Sequence, residues 1–223
     1  ENGIGNGISL IIFGGIVARV PSAVMAAYSN YKSGAISLVG IFLFLAFAIL
    51  VIIVIIEIQQ GQRRIPVQYA KRVVGRKMYG GQSTHIPLKV NQAGVIPVIF
   101  GMSLLQLPQT LVYFWPNTGF SEFMTKWLST NGTPGVYFYS IFYAILIIFF
   151  TYFYTAVTFN PMEVADNMKA NGGFVPGIRP GRPTVEYLQK VMNRITFTGA
   201  IFLAVIAVMP LIIGNFTAID FKF

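Results

Sequence analysis

The chain has no cysteine and a single histidine, His85, among its 223 residues. Disulfides and thiolate metal sites are therefore excluded, and a histidine-based metal centre has no ligand set to draw on. Charge is scarce as well: 10% of residues are Asp, Glu, Lys or Arg, against 55% hydrophobic, and the mean hydropathy is +0.66. Soluble domains carry about 25% charged residues, so this chain lacks the polar surface that a water-soluble globule needs. Acid is scarcer than base, seven residues against sixteen, and none lies between Gln59 and Asn91. Catalytic constellations are missing too. There is no HExxH, no GxSxG and no acidic pair within an apolar run, and Ser9 and Ser103 stand in apolar runs without a histidine or lysine to activate them. Neither an enzyme nor a cofactor or metal is expected. The first residues, Glu1-Asn-Gly-Ile-Gly, lack an initiator methionine or signal pattern, a start expected of the middle of a longer protein.

What is present is apolar sequence in long runs. Roughly 20 residues cross a bilayer core of about 30 Å, and five segments meet that length, near 8–27, 36–56, 93–114, 137–159 and 195–213. None alternates like a strand, and backbone polar groups in lipid must be satisfied within the segment. The expected fold is an all-α polytopic membrane protein of five transmembrane helices, read as one membrane domain. Seven Lys or Arg fall in the loop 57–92 and five in the loop 160–194, against three between or beyond the other spans. That asymmetry predicts that both large loops are cytoplasmic.

The loop 57–92 carries Arg63, Arg64, Lys71, Arg72, Arg76, Lys77 and Lys89. Short alternating patterns at 65–70 and 83–90 predict two extended arms joined by a tip around Gly75-Arg76-Lys77, a β-hairpin-like projection. Pro66 and Pro87 are compatible with an isolated ribbon that has free edges. Arms of about ten residues carry the tip roughly 30 Å from the membrane. In the second loop, Asn160-Pro161-Met-Glu163 is a helix start, and Gly172-Gly173 is the expected stop. Two Pro-Gly turns then bracket Arg179 and hold it outward, and Thr184 is expected to cap a last helix that runs into the fifth span.

The first span contains Gly14-Gly15, which permits close helix packing, and Arg19 towards its outer end, placed to snorkel or face a polar cavity. The second, without charge before Glu57, reads as lipid-facing. The third contains Pro97, Pro108, Gly101, Ser103 and Gln106, and its polarity and bends suit a helix facing protein or a cavity. The segment 115–134 reads as an interfacial element of the aromatic belt. The fourth span is rich in aromatics, at spacings that suit packing.

Several stretches resemble one family: Gly3-Ile-Gly-Asn-Gly-Ile-Ser9, Ile11-Ile-Phe-Gly-Gly-Ile-Val17, Gly61-Gln-Arg-Arg-Ile65, Tyr69-Ala-Lys-Arg72, Gln82-Ser-Thr-His-Ile-Pro-Leu-Lys-Val-Asn91, Ala93-Gly-Val-Ile-Pro97, Phe159-Asn-Pro161 and Phe174-Val-Pro-Gly-Ile-Arg-Pro-Gly181. They resemble the SecY family, whose bacterial members are the central subunit of the protein-conducting channel. The resemblance implies part of a ten-helix fold in the plasma (inner) membrane, with the five spans matching its fifth to ninth helices. It places Ile12 and Ile99 in an apolar pore ring, Ile8 one turn before Ile12, and Ser103 and Leu107 along the pore or lateral-gate face. Periodicity alone makes Ile12 and Ile99 packing residues, although 99, 103 and 107 do share one helix stripe. The resemblance further implies that Arg76 and Arg179 dock the SecA motor ATPase or the ribosome, with Arg63, Arg64, Arg72 and Lys77 adding charge towards rRNA phosphates or acidic protein. SecE- and SecG-like subunits, signal sequences, nascent chains and membrane lipid are the other implied partners. The expected function is conduction of unfolded secretory polypeptides across the membrane and of membrane segments into it. The alternative is a small-solute secondary transporter, for which helices broken by Gly and Pro are common; the lack of buried ionisable groups and the size of the cationic loop speak against it.

Overall fold

A computed structural model describes residues 7–34, 37–69, 72–74, 77–79, 83–116, 118–128 and 135–216. Among these residues, five helices are long and apolar enough to cross a membrane, in line with the five apolar runs. The chain divides into two compact units, Glu1–Ile53 with Ile213–Phe223, and Val54–Ile212.

The first unit holds α1 (Gly7–Val17), α2 (Val20–Lys32) and most of α3 (Leu38–Gln60). α1 and α2 follow one another through a tight joint at Ala18-Arg19, where the Ala18 amide still donates to the Gly14 carbonyl at 2.9 Å. Pro21 sits in the first turn of α2, where a missing N–H is harmless. The span therefore runs from Leu10 to Lys32 instead of closing at Ala27. Tyr28-Ser-Asn-Tyr-Lys32 is polar but compatible with a helix, and Arg19 stands near the middle of the helical segment, not towards its end. α3 buries no residue fully, but Ile41, Phe44, Ala48, Val51, Ile55 and Ile58 are half-buried at helical spacing along one side, with the remaining apolar side chains exposed.

The second unit is built on α4 (Ile96–Phe114), α6 (Gly135–Thr158) and α8 (Arg182–Phe216), with the short α5 (Gly119–Trp127) between α4 and α6. Leu105 of α4, Tyr139, Tyr143, Leu146 and Ile147 of α6, and Leu203 and Ala204 of α8 form the bundle core. α4 begins only at Ile96, because Gly94 turns the chain at φ +63° and Pro97 opens the helix. Gly101 lets α4 approach α6: a Cβ there would lie 3.3 Å from Tyr143 Cε2. The Tyr143 hydroxyl donates to the Val98 carbonyl at 3.4 Å. Buried Thr151 and Thr155 satisfy their hydroxyls on carbonyls four residues back, at 2.6 and 2.8 Å, which makes polar side chains tolerable there. The aromatics of α6 divide. Tyr139 and Tyr143 pack inward, whereas Phe138, Phe142, Phe149 and Phe153 are exposed.

The same unit carries the two large loops. β1 (Gln62–Tyr69) pairs antiparallel with β4 (Ser83–Lys89), Gln62 opposite Lys89 and Gln68 opposite Ser83. β2 (Arg72–Val74) and β3 (Lys77–Tyr79) continue the excursion as a second antiparallel pair, Val74 opposite Lys77. In the other loop, α7 (Pro161–Ala170) starts as expected: Asn160 Oδ1 accepts from the Met162 and Glu163 amides at 3.1 and 3.4 Å. α7 ends at Ala170, and Gly172 makes the left-handed turn at φ +70°. The next two residues do more than stop a helix, since Gly173–Phe174 is strand β5.

Candidate interaction site

Alternation along β1 turns Ile65 and Val67 to one face, where both are buried. Leu88 of β4 joins them, with Ala165 and Met168 of α7, Val175, and Leu188, Val191 and Met192 of α8. One hydrophobic core thus ties together two loops that lie about a hundred residues apart in sequence. β5 also pairs with the far end of β1, Gln68 opposite Phe174 and Tyr69 opposite Gly173. The expectation of an isolated ribbon is corrected on both counts: one face is buried, and β1 is the central strand of the order β4-β1-β5. The prolines remain tolerable, because β5 reaches only Gln68 and Tyr69 and leaves β1 unpaired on that edge at Pro66, while Pro87 lies on an edge strand. Gly173 is needed at the junction, where a Cβ would meet Tyr69 Cε1 at 3.0 Å and the Met168 carbonyl oxygen at 3.3 Å.

The predicted basic residues stand on this platform. Arg64 shares the outer face of the ribbon with Pro66 and Gln68, across from Pro87, His85 and Lys89, and Arg64, His85 and Lys89 are all exposed. Arg63 points to the other face, opposite Leu88, yet remains exposed at the rim of the core. Arg72 lies on β2 opposite Tyr79, and Lys77 on β3. Arg76, with Gly75, lies outside the described residues. Arg179 is exposed between Gly177 at φ +82° and Gly181 at φ +105°. These left-handed positions favour glycine. Val175 is buried in the platform core and Ile178 packs against it, so the turn bearing Arg179 is anchored to the same body as Arg63 and Arg64. Thr184 does not cap α8, which begins two residues earlier at Arg182 with Pro183 in its first turn. Its hydroxyl instead donates back to the Arg179 carbonyl at 2.9 Å and fixes the turn.

α4 presents two unlike stripes. Pro97, Gly101 and Leu105 are buried towards the bundle. Ile99, Ser103 and Leu107, each four residues apart on another side, are exposed. The Ser103 hydroxyl donates to the Ile99 carbonyl at 2.8 Å, which leaves no unsatisfied polar group on that stripe. In the first unit, Ile12 is 46% exposed on α1, with Ile8 one turn before it on the same helix. The end of the ribbon meets α8 again at Gly199, where a Cβ would lie 2.5 Å from the Val90 carbonyl oxygen. Val90 closes the ribbon through its amide to the Gly61 carbonyl at 2.9 Å, and α4 begins six residues further on. Ribbon, α8 and α4 therefore converge within one short stretch of chain.

A family model described as SecY matches residues 1–223. Three relatives named protein translocase subunit SecY are similar along the chain. The Aquifex aeolicus protein is 48% identical over 223 residues, covering 100% of this chain and 51% of its own length. That of Corynebacterium glutamicum is 51% identical over 215 residues, covering 94% and 48% respectively, and that of Mycobacterium tuberculosis 50% identical over 220, covering 94% and 47%. The chain belongs to the SecY family. It spans about half the length of the curated relatives that it matches. Two solved structures share its fold: one of a protein conducting channel, with a TM-score of 0.59 at 19% identity over 89% of this chain and 50% of that one, and one of a SecY protein whose plug domain stabilises the closed state, at 0.54 and 16% over 88% and 53%. With the family in hand, the five spans make this a multi-pass membrane protein of SecY-like fold.

Sequence reading found the basic residues but missed the core beneath them. The signal was present in α8, where Val185, Leu188, Val191, Met192 and Ile195 recur at helical spacing within a stretch that also carries Glu186, Lys190 and Arg194. No signal marked Gly199, since its importance comes from a backbone that arrives from another part of the chain.

Proposed function

We propose that this chain is the part of a protein translocase channel that docks the driving partner and lines one side of the conduit. The whole protein conducts unfolded secretory polypeptides across the plasma membrane and releases membrane segments sideways into it. One observation carries the reading: the β1–β4 part of the ribbon and the Arg179 turn share a single hydrophobic core, so exposed Arg63, Arg64 and Arg179 stand on one cationic platform from which the β2–β3 part of the ribbon continues. A charge excess that only set topology would need no such core. The platform faces the cytoplasm on the strength of the Lys and Arg excess of loops 57–92 and 160–194. It attracts rRNA phosphates of a ribosome or acidic surface on SecA, with a salt-sensitive affinity. Arg76, Arg72, Lys77 and Arg179 are the proposed contacts, and Arg63 and Arg64 add to the field.

Ile12 and Ile99 are proposed for the pore ring, with Ile8, Ser103 and Leu107 lining the pore or lateral gate. Apolar side chains there seal against ions and offer a passing polypeptide no strong binding site. Ile99, Ser103 and Leu107 are supported by their exposure on a helix whose other side is packed. SecE- and SecG-like subunits complete the complex in this proposal, and driving energy comes from the docked partner. The relatives' name as translocase subunits favours this function over small-solute transport. The test is charge reversal in the full-length protein: Arg179→Glu and Arg76→Glu, singly and together, should weaken binding to SecA or ribosomes and reduce export, more at low salt than at high. Binding and export unchanged in the double variant would defeat the docking role.

A further inference from the structure

Both tryptophans of the chain, Trp115 and Trp127, lie between the end of α4 and the start of α6. That connection contains α5, capped by Thr118 Oγ1, which accepts from the Ser121 amide at 3.4 Å. Phe120, Phe123 and Trp127 recur at spacings of three and four and so share one side of α5, with Glu122, Thr125 and Lys126 on the other. Contacts with α4 and α6 fasten the helix to the bundle. Trp127 packs edge-on against Phe138 of α6 at 4.7 Å, and Gln109 Nε2 of α4 donates to the Leu128 carbonyl at 3.3 Å. Beside these contacts, Phe120 and Phe123 remain 42% and 52% exposed.

A helix joining two spanning helices stands at a membrane boundary, and its uncovered aromatics are continuous with the exposed apolar face of the spanning helix α6. From Trp127 the exposed apolar face runs on through Phe138, Ile141, Phe142 and Ile145 down α6, and Tyr113, Phe114 and Trp115 flank it at the end of α4. Lys126 lies over the Trp127 ring, its Nζ 5.9 Å from the centroid, as suits a stem that runs along an apolar surface and a head that reaches a phosphate. We infer that α5 lies in the plane of the bilayer interface opposite the basic platform, with Phe120 and Phe123 in the acyl region and Lys126 at the phosphates of the lipid headgroups. Through Gln109 and Leu128 it ties the outer half of α4 to the membrane surface.

Site-directed spin labelling of the full-length protein tests this in vesicles of phosphatidylcholine and phosphatidylglycerol. The variants are Phe120→Cys, Glu122→Cys, Phe123→Cys and Thr125→Cys, each in a background with no other cysteine. Labels at 120 and 123 should be accessible to oxygen and shielded from a water-soluble nickel complex, with the ratio reversed at 122 and 125. Four labels equally open to nickel would place α5 in water. Labels at 120 and 123 closed to both probes would mean that protein covers this face. Either result overturns the inference. Because a label replaces the aromatic itself, quenching by brominated lipid gives an independent reading: Trp127→Phe should remove part of the quenchable fluorescence of the full-length protein, and no change would likewise count against lipid contact.

Discussion

The loop platform and the spanning bundle, although parts of one compact unit, are built by opposite rules. In the platform the apolar side chains are inside and the arginines outside. Ile65, Val67 and Leu188 are at most 1% exposed, and Arg63, Arg64 and Arg179 lie in the open. In the bundle much of the exposed surface is Ile, Leu and Phe, and the buried positions include Ser140, Thr151, Thr155, Thr196 and the contact glycine Gly101. The difference follows from the solvent. Water drives apolar groups inward around the platform. Lipid tails are as apolar as leucine, so helices in the bundle associate through close packing and internal hydrogen bonds. The platform thus follows the burial pattern of a protein in water and the bundle that of one in lipid, and the two parts should respond differently to the same kind of substitution.

The largest expected effect is in the platform core. Leu188→Ala removes a side chain with no exposure from the core that joins both loops, and truncations of this kind cost about 2–5 kcal/mol. Hydrogen exchange on the full-length protein should show β1, α7 and the start of α8 losing protection, while α4 and α6 keep theirs. Equal loss in α6 would mean that platform and bundle unfold as one, and the contrast would fail.

A smaller effect is expected where the two parts meet. Gly199→Val places side-chain atoms where the Val90 carbonyl stands. A helix backbone and a closing ribbon can give way only by shifting apart, a strain of about 1–3 kcal/mol. Gly199→Ala should show part of the same loss. The thermal midpoint in detergent reads the destabilisation, and protease sensitivity near Val90 locates it. A valine variant as stable as the parent would mean that ribbon and α8 are not tightly held.

These residues also show what was legible in sequence. Apolar runs give the five spans directly, because length and hydropathy are local properties, and the cap at Asn160 is equally local. The ribbon was legible from alternation, but its partner strand β5 was not: two residues after a glycine turn carry no pattern, and pairing across a hundred residues leaves no mark on either segment. The ends of elements were displaced for a related reason. Thr184 has the chemistry of a cap, yet the turn around Gly181 starts α8 earlier and gives that hydroxyl a different acceptor. Arg19 shifted from the end of its span towards the middle because polar residues up to Lys32 continue the helix. Of the site residues, the exposed arginines could be found from charge alone. The assignment of Ile12 and Ile99 came from family resemblance, since an apolar residue that packs and one that lines a conduit look the same in sequence.

The smallest effect on stability is expected on the open stripe of α4, and it separates the two faces of one helix. Leu105 is fully buried against the bundle, whereas Ile99 is 44% exposed. Ile99→Asn should therefore change the folding free energy by no more than about 0.5 kcal/mol, as for other exposed positions, and leave the thermal midpoint near that of the parent. Its effect should instead be functional: an amide in an apolar ring holds water, so ion leakage through the full-length channel should rise and discrimination among signal sequences should relax. Leu105→Asn should do the reverse, lowering the midpoint with no specific rise in leakage among the molecules that remain folded. If Ile99→Asn destabilises as much as Leu105→Asn and leaves conductance unchanged, then Ile99 is a packing residue after all, and the apolar ring must be sought on another face.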